Sequence, residues 1–317
     1  MTKTLSRTIR PSLPALAVAA ALAATLVAAP ARADLKVFAC EPEWASLAKE
    51  LGGDLVDVYA ASTAMQDAHR IEARPSLVAR MRSADLVVCT GAELEVGWLP
   101  VLLQSAGNTR VQPSTNGFLA AADFVTRLEV PTQLDRAAGD IHPGGNPHLH
   151  LDPHNIAKVA AALSARLAAV DAAHAAEYRA RGDDFQQRWQ AATTRWESAG
   201  APLAGMRFVS FHKDLVYLAH WLKLVEVANI EPKPGLPPTA AHLAELVSKL
   251  GQSPQGERGA DVITRNPFQD PKPAEWLAAQ THVPLVTLPF TVGGSVTATD
   301  LFKLYDETLS LLIGARH

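Results

Sequence analysis

The sequence predicts an α/β protein of two lobes, each with a parallel sheet flanked by helices, joined by one long rigid helix. Short apolar runs rich in β-branched residues alternate with helical patterns through both halves of the chain. Such continuous apolar runs are typical of parallel strands that are covered on both faces. A segment rich in Ala, Arg and Gln, and therefore strongly helical, separates the two halves.

The predicted strands are short apolar runs bounded by polar or turn-forming residues. They lie at 35–40, 55–60, 85–90 and 109–112 in the first half, and at 207–211, 225–229, 260–264 and 285–288 in the second. Helical patterns lie between them at 76–84, 213–223, 239–250 and 272–280. Residues 113–147 show little periodicity and contain PSTNG and GDIHPGG, so we expect a loop there.

The segment between the halves is predicted to form two helices. Asp152 and Pro153 fit a helix start, with the acid as the cap and proline in the first turn. After a break near residue 170, a second helix is expected to run to about Ser198, and Gly200 ends it. Because about 25 helical residues span roughly 37 Å, this connection is a rod and not a flexible tether.

Residues 1–33 have the features of an export signal. Basic residues precede the apolar run LPALAVAAALAATLVAA, and Ala31-Arg32-Ala33 supplies the small-x-small pattern of a cleavage site. A membrane anchor is the alternative, but the cleavage pattern and the alanine-rich composition favour removal. We therefore expect a periplasmic protein with a signal peptide at 1–33, lobes at 34–170 and 201–317, and a connecting helix at 171–200.

The net charge and the two cysteines bear on the expected partners and on disulfide formation. The net charge of −3 is small and no basic stripe appears, so nucleic acid is not an expected partner. Cys40 and Cys89 end the similar apolar runs LKVFAC and DLVVC. If these are neighbouring strands, both thiols lie at one sheet edge, where they either form a disulfide, whose geometry is demanding, or serve as small buried hydrophobes.

Three histidines share one structural context. His69 follows the second predicted strand, His212 follows the first strand of the second half, and His148 precedes the long helical region. Parallel α/β units bind ligands outside the carboxyl ends of their strands. Imidazole suits Zn, Cu, Fe and Ni, and three imidazoles with one further donor complete a tetrahedral zinc site. A single histidine at a strand end is usually an ordinary polar residue, but this shared context favours a metal site in the inter-lobe cleft.

The segments around these histidines are MQDAHRIEARPSLVARMRSADLVVCTGAELE, NPHLHLDPHNIAKVAAAL and FVSFHKDLVYLAHWLKL. Together, and in this order, they resemble the metal-binding substrate-binding proteins of ABC uptake transporters, the zinc and manganese group. The resemblance covers essentially all of the mature chain. It implies two α/β lobes, a rigid connecting helix, and a metal held at the lobe interface by His69, His148 and His212.

The resemblance implies that the protein is a receptor and not an enzyme. Manganese-type members commonly offer glutamate in the third block, so His212 favours zinc. We expect a monomer that captures Zn(II) as its transported ligand and delivers it to an ABC permease. The alternatives are the same receptor for Mn(II) or Fe(II), and a secreted zinc hydrolase, although no H-E-x-x-H or G-x-S-x-G motif appears.

The sequence does not identify the fourth metal ligand. Family members often place an aspartate ligand in a turn after the last strand, but this chain reads LPFTVGG there, with Pro289 at that position. Asp300 is the nearest downstream acid, yet it also fits the capped start of a helix. Water, or a carboxylate from another loop, are the other options.

Further candidates lie near the three histidines. His150 replaces the family's tryptophan and is either a ligand or part of the cleft wall. Glu72, three residues after His69, is a candidate acceptor supporting that ring or else a solvated acid. His142 is a candidate for collecting metal from its loop, and His154 is expected to be exposed.

Overall fold

The structure is a computed structural model that describes residues 2–4, 34–133, 139, 142–251 and 259–316. Apart from residues 2–4, the expected signal peptide lies outside the described residues. Within the described ranges, no helix combines the length and apolar character needed to cross a bilayer.

A parallel sheet organises the first lobe. Its strands are β1 (Leu35–Ala39), β2 (Val56–Ala60), β3 (Leu86–Cys89) and β4 (Phe118–Ala120), arranged in the order β2-β1-β3-β4. Its helices are α1 (Pro42–Gly52), α2 (Pro75–Ser83) and α3 (Leu99–Ala106). The two central strands, β1 and β3, are largely buried, as expected for a parallel sheet covered on both faces.

The position of the fourth strand corrects the sequence prediction. We expected it at 109–112, but Thr109–Val111 forms a 3-10 turn, and β4 lies in the segment expected to be a loop. The side chain of Asn108 explains the turn. It accepts a hydrogen bond from the backbone N–H of Arg110 (3.1 Å) and donates one to the carbonyl of Ala84 (2.8 Å). This polar side chain therefore overrides the β-branched pattern of Thr109 and Val111.

Two helices follow the first sheet, α4 (Pro153–Val170) and α5 (Ala175–Gly200). The carboxylate of Asp152 caps α4 by accepting from the backbone N–H of His154 at 2.8 Å. The second, α5, is the long helix between the lobes, and it begins at Ala175 because a 3-10 turn precedes it. The lobe boundaries at residues 170 and 200 stay a prediction.

A second parallel sheet organises the other lobe. Its strands are β5 (Arg207–Ser210), β6 (Val225–Asn229), β7 (Val262–Arg265) and β8 (Leu285–Thr287), arranged in the order β6-β5-β7-β8. Its helices are α6 (Val216–Leu222), α7 (Ala240–Leu250), α8 (Pro271–Thr281) and α9 (Leu301–Ala315). The predicted fold class of two parallel sheets and a long helix between them is confirmed.

Aromatic packing makes the long helix a rigid part of the core. The ring of Trp189 on α5 contacts those of Phe302 and Tyr305 on α9, at centroid distances of 4.8 and 5.4 Å. Trp196, further along α5, stacks on Tyr305 at 4.8 Å. Because these rings are held by edge and stacked contacts on both helices, α5 is fixed firmly against the second lobe.

Cys40 and Cys89 lie side by side because β1 and β3 are neighbours in register. Ala39 pairs with Val88, so the next residue of each chain segment is a cysteine, and their Cα atoms are 4.8 Å apart. The structure joins the two by a disulfide, and both residues are fully buried. Of the two interpretations that the sequence left open, the structure contains the bonded one.

The carboxyl ends of the two sheets open on a common cleft. The loop after β2 carries His69, and the segment directly after β5 carries His212. Residues from both lobes line this cleft, among them Glu41, Phe211 and Thr291. The fold thus brings the ends of two separate sheets to one place, as ligand-binding α/β proteins do.

Candidate metal centre

His69 is oriented by an acid two residues before it. Asp67 precedes a 3-10 turn, and its Oδ1 accepts hydrogen bonds from the backbone N–H of His69 (3.0 Å) and from its Nδ1 (2.8 Å). Because a carboxylate only accepts, Nδ1 carries the ring proton and Nε2 keeps its lone pair. The imidazole is therefore held in the tautomer that can bind a cation through Nε2.

His148 is oriented in the same way by an amide. The Oδ1 atom of Asn146 accepts from the backbone N–H of His148 at 3.1 Å and from its Nδ1 at 3.0 Å. The Asn146 amide nitrogen donates to the carbonyl of Lys213 in the second lobe (2.8 Å), which fixes the orientation of the amide. A contact between the lobes thus sets the direction of the His148 ring.

The third imidazole takes its partner from a neighbouring strand. Nδ1 of His212 donates to Oε2 of Glu231, which follows β6, at 2.7 Å. The same oxygen accepts from the backbone N–H of Gly235 at 2.9 Å, so the carboxylate is itself held in place. Partners of this kind fix the tautomer and raise the basicity of metal-binding histidines.

The three rings converge on one point in the cleft. Their centroids lie 5.6 Å apart for His69 and His148, 5.8 Å for His69 and His212, and 5.6 Å for His148 and His212. One ring nitrogen from each lies within 4.8 Å of the others. Since each Nδ1 is engaged elsewhere, the Nε2 lone pairs form a three-nitrogen face suited to a borderline divalent cation.

Burial and charge shift the pKa values of His148 and His212 in opposite directions. Burial, followed by the nearby imidazoles, holds the pKa of His148 well below its usual value, so this ring is neutral at neutral pH. Burial also opposes charge on His212, but its bonds to Glu231 and the nearby Asp214 charge outweigh this and raise its pKa. Although burial alone would raise it, the hydrogen bonds from His69 lower the pKa of Asp67. Cation binding at His148 therefore displaces no proton at neutral pH.

An aromatic ring lies next to the position at which the family's aspartate was expected. Phe290 follows Pro289 in the turn after β8, has a φ of 64°, and its ring centroid lies 5.7 Å from that of His148. Asp300 caps α9, because its carboxylate accepts from the backbone N–H of Lys303 at 2.9 Å, and it is not among the described residues that line the cleft. This side of the site is therefore an apolar wall.

His150 faces the cleft but is fully engaged. Its Nδ1 lies 3.3 Å from Oε1 of Glu43 on α1, and its Nε2 donates to the carbonyl of Phe290 at 3.0 Å. Thr291 donates to the other oxygen of Glu43 at 2.6 Å. The buried His150 side chain thus ties the turn after β8 to the first lobe, and neither of its nitrogens faces the three-histidine centre.

The remaining candidates lie in different places. Glu72 is exposed, and the acceptor for His69 is Asp67 because that residue caps the 3-10 turn that carries the histidine. The side chain of His154 is 51% exposed and contacts Glu197 on α5. His142, by contrast, reaches the centre: its Nε2 lies 3.1 Å from Nε2 of His69.

Sequence reasoning missed the three acceptors that orient the rings. Two of them carry a local signal, because an Asp or Asn stands two residues before His69 and His148. The signal is weak on its own, since Asp152 bears the same relation to His154, which is exposed. Glu231 offers no such signal because only the pairing of β5 with β6 brings it to His212.

Two buried carboxyl groups lie beside the disulfide at the edge of the first sheet. Oε1 of Glu95 accepts from the backbone N–H of Thr90 at 2.7 Å, and Oε2 of Glu41 accepts from the Thr90 hydroxyl at 3.0 Å. Burial raises the pKa of Glu95 to about 7, and burial together with the Glu95 charge raises the pKa of Glu41 well above its ordinary value. The pair therefore retains a proton at pH values where exposed carboxyls are ionised.

The Glu95 carboxyl predicts a pH dependence of stability. The unfolded chain releases its proton near pH 4.5, whereas the folded chain holds it to about pH 7, so folded protein binds more protons in this window. The free energy of unfolding should fall as pH rises from 4.5 to 7, and Glu95→Gln should reduce this fall. Urea unfolding of chelated protein measures both slopes, with Glu93→Gln at an exposed position of the same turn as control. Parallel profiles for Glu95→Gln and the parent protein would contradict the assignment.

Comparison with known proteins identifies a matching protein family. A family model described as "Zinc-uptake complex component A periplasmic" matches residues 37–313. The chain is similar to the high-affinity zinc uptake system protein ZnuA of Paracoccus denitrificans, at 25% identity over 298 residues, covering 83% of this chain and 85% of that protein. A shorter match is to the manganese ABC transporter substrate-binding lipoprotein PsaA of Streptococcus pneumoniae, at 29% identity over 111 residues, covering 34% of this chain and 35% of that protein.

The fold is also that of a solved structure. A crystal structure of ZnuA superimposes with a TM-score of 0.72 at 21% sequence identity, covering 88% of this chain and 100% of that one. At this identity the likeness supports the architecture alone. The match nevertheless extends over both sheets and the helix between them, so the two-lobed arrangement around the cleft is a shared one.

Proposed function

The chain belongs to the family of periplasmic zinc-uptake component A proteins, and from that premise we propose that it captures Zn(II) with His69, His148 and His212. Members of this class are metal-binding, extracytoplasmic receptors of ABC transporters, which work with a membrane permease and its ATPase. Delivery of the captured ion to such a permease, by a monomeric receptor, is the function that we assign.

One observation carries this proposal. The Nε2 atoms of three imidazoles from separate parts of the fold face one point, while Asp67, Asn146 and Glu231 hold each Nδ1. Ordinary buried histidines have no reason to present their lone pairs to one another, because like dipoles repel. A cation at that point satisfies all three at once.

The donor chemistry favours zinc over manganese. Imidazole nitrogen suits Zn(II), whereas Mn(II) prefers carboxylate and other oxygen ligands. The two carboxylates closest to the rings, Asp67 and Glu231, accept hydrogen bonds from Nδ1 atoms and support the ligands in that way. The same receptor built for Mn(II) or Fe(II) is the alternative that the experiment must separate.

Thermal unfolding in the presence of each metal tests the proposal. A ligand at one thousand times its Kd stabilises the folded state by about 4 kcal/mol, so Zn(II) should raise the Tm of chelated protein by several degrees. Mn(II) at the same concentration should raise it much less because the three donors are all nitrogen. Equal shifts would overturn zinc selectivity, and no shift with either metal would overturn the receptor assignment.

A further inference from the structure

His142 is a fourth imidazole, and it contacts one ring of the three-histidine centre. Its Nε2 lies 3.1 Å from Nε2 of His69, and the two ring centroids are 5.1 Å apart. Since Nδ1 of His69 already donates to Asp67, the Nε2 of His69 has only a lone pair to offer. In the metal-free protein the contact is therefore a hydrogen bond in which Nε2–H of His142 donates.

The chain after His142 fixes its position relative to the site. The backbone N–H of Gly145 donates to the carbonyl of His142 at 3.0 Å, and that of Asn146 donates to Leu128 at 2.8 Å. Gly145 has a φ of 96°, and a Cβ there would lie 2.9 Å from the Leu128 carbonyl oxygen. A tight turn thus joins His142 to Asn146, and the Tyr217 hydroxyl donates to the carbonyl of Asn146 at 2.9 Å.

The separation of the two nitrogens matches a coordination edge. Zinc–nitrogen bonds of about 2.0–2.1 Å in a tetrahedron place neighbouring donors about 3.3–3.4 Å apart. The 3.1 Å between Nε2 of His142 and Nε2 of His69 is close to that length. The donor atoms that lie within 4.8 Å of one another are those of His69, His148 and His212, so coordination would draw His142 toward the other two rings and move its ring proton from Nε2 to Nδ1.

Other polar side chains near the three histidines already accept hydrogen bonds from other residues. Among the described residues, Asp67 and Glu231 hold the Nδ1 atoms, and Oδ2 of Asp214 accepts from the side chains of Asn266 (2.6 Å) and Gln269 (3.1 Å). The turn after β8 offers Phe290 in place of a carboxylate. Within the described part of the chain, His142 is therefore the imidazole outside the three that lies within reach of a ring nitrogen of the centre, 3.1 Å from Nε2 of His69.

We infer that His142 is the fourth donor, so that this site holds its cation by imidazole nitrogens alone. The inference rests on the proposed function, because it completes the same metal centre. It also deepens it: four neutral nitrogens and no carboxylate leave the bound site with the full charge of the metal and strengthen the preference for zinc over oxygen-seeking cations.

X-ray absorption at the zinc edge tests the inference by counting imidazoles. Wild-type protein loaded with one Zn(II) should show four, and His142→Ala should show three with one light oxygen ligand. The Kd for zinc should rise about 100-fold or more in His142→Ala, beyond what the loss of an outer hydrogen-bond partner usually costs. His154→Ala, which removes a half-exposed imidazole next to the same segment, is the matched control and should leave both readouts unchanged.

His142→Gln separates a ligand from a residue that only supports His69. Its amide can still donate a hydrogen bond to Nε2 of His69, but it is a poor zinc ligand. The inference predicts that glutamine weakens zinc binding as alanine does. A residue that only hydrogen-bonds Nε2 of His69 would instead compete with the metal for that lone pair, so alanine would then bind zinc at least as tightly as the parent protein, with an unchanged imidazole count. Circular dichroism of the metal-free variants checks that each is folded. Three imidazoles in wild-type protein that binds zinc would overturn this inference alone, while a wild-type protein that binds no zinc would overturn the proposed function as well.

Discussion

Replacement of His148 by alanine is expected to raise the Kd for Zn(II) roughly 1000-fold. Four-ligand structural zinc sites bind with about 10–16 kcal/mol, so an even share for one ligand is about 2.5–4 kcal/mol, and each 1.4 kcal/mol is a factor of ten. The loss of binding free energy should reach the upper end of this range because His148 is only 4% exposed and Phe290 packs beside it. Water therefore has poor access to replace the missing nitrogen.

Competition with a chromophoric chelator at neutral pH measures this Kd. His154→Ala is the control because it lies in the same segment and its side chain contacts Asp152 and Glu197 away from the centre. Thermal unfolding without metal shows whether either variant has lost its fold. If the two variants bind zinc with equal affinity, His148 is not a ligand and the site must be sought elsewhere in the cleft.

Removal of the Cys40–Cys89 disulfide is expected to lower the free energy of unfolding by about 4 kcal/mol. The bond closes a loop with a sequence separation of 49 residues, for which the chain-entropy model gives about this value. Stabilities of whole domains are only about 5–15 kcal/mol, so the change is a large fraction of the total. Alanine is the suitable replacement at both positions because each cysteine is fully buried in an apolar cluster.

Urea unfolding of chelated protein measures this effect. The double variant Cys40→Ala/Cys89→Ala should unfold at lower urea than the parent protein under oxidising conditions. With a reducing agent the parent should approach the double variant, while the double variant itself should not respond. Identical unfolding curves for the parent protein with and without reductant would mean that the bond makes no contribution to stability.

Local patterns were sufficient to predict the class of fold. The apolar runs that form β1, β3, β5 and β7 are continuous because these strands are covered on both faces, and that burial is visible in the residues themselves. The prediction failed at 109–112 because the stretch TRVQ, with two β-branched residues, is folded into a turn by Asn108. One polar side chain with distant partners can reverse a local preference.

The histidines were found from chemistry and position, but their partners were not. His69 and His212 stood out because each follows a predicted strand. Asp67 was within reach of sequence reasoning, since it stands two residues before its histidine, yet Glu72 was considered instead. Helical spacing suggested Glu72, whereas the chain at this point forms a 3-10 turn capped by Asp67.

By itself, the sequence determined the parallel strands, the rigid helix and the presence of imidazoles at strand ends. Only the tertiary structure decided that His142 reaches His69, that Phe290 packs beside His148, and that Glu231 orients His212. The physical reason is the separation along the chain between the residues that interact. Burial and helix formation depend on neighbours a few residues away and leave a periodic record in the chain. Contacts between loops of two lobes depend on how whole sheets pack, and no local pattern encodes them.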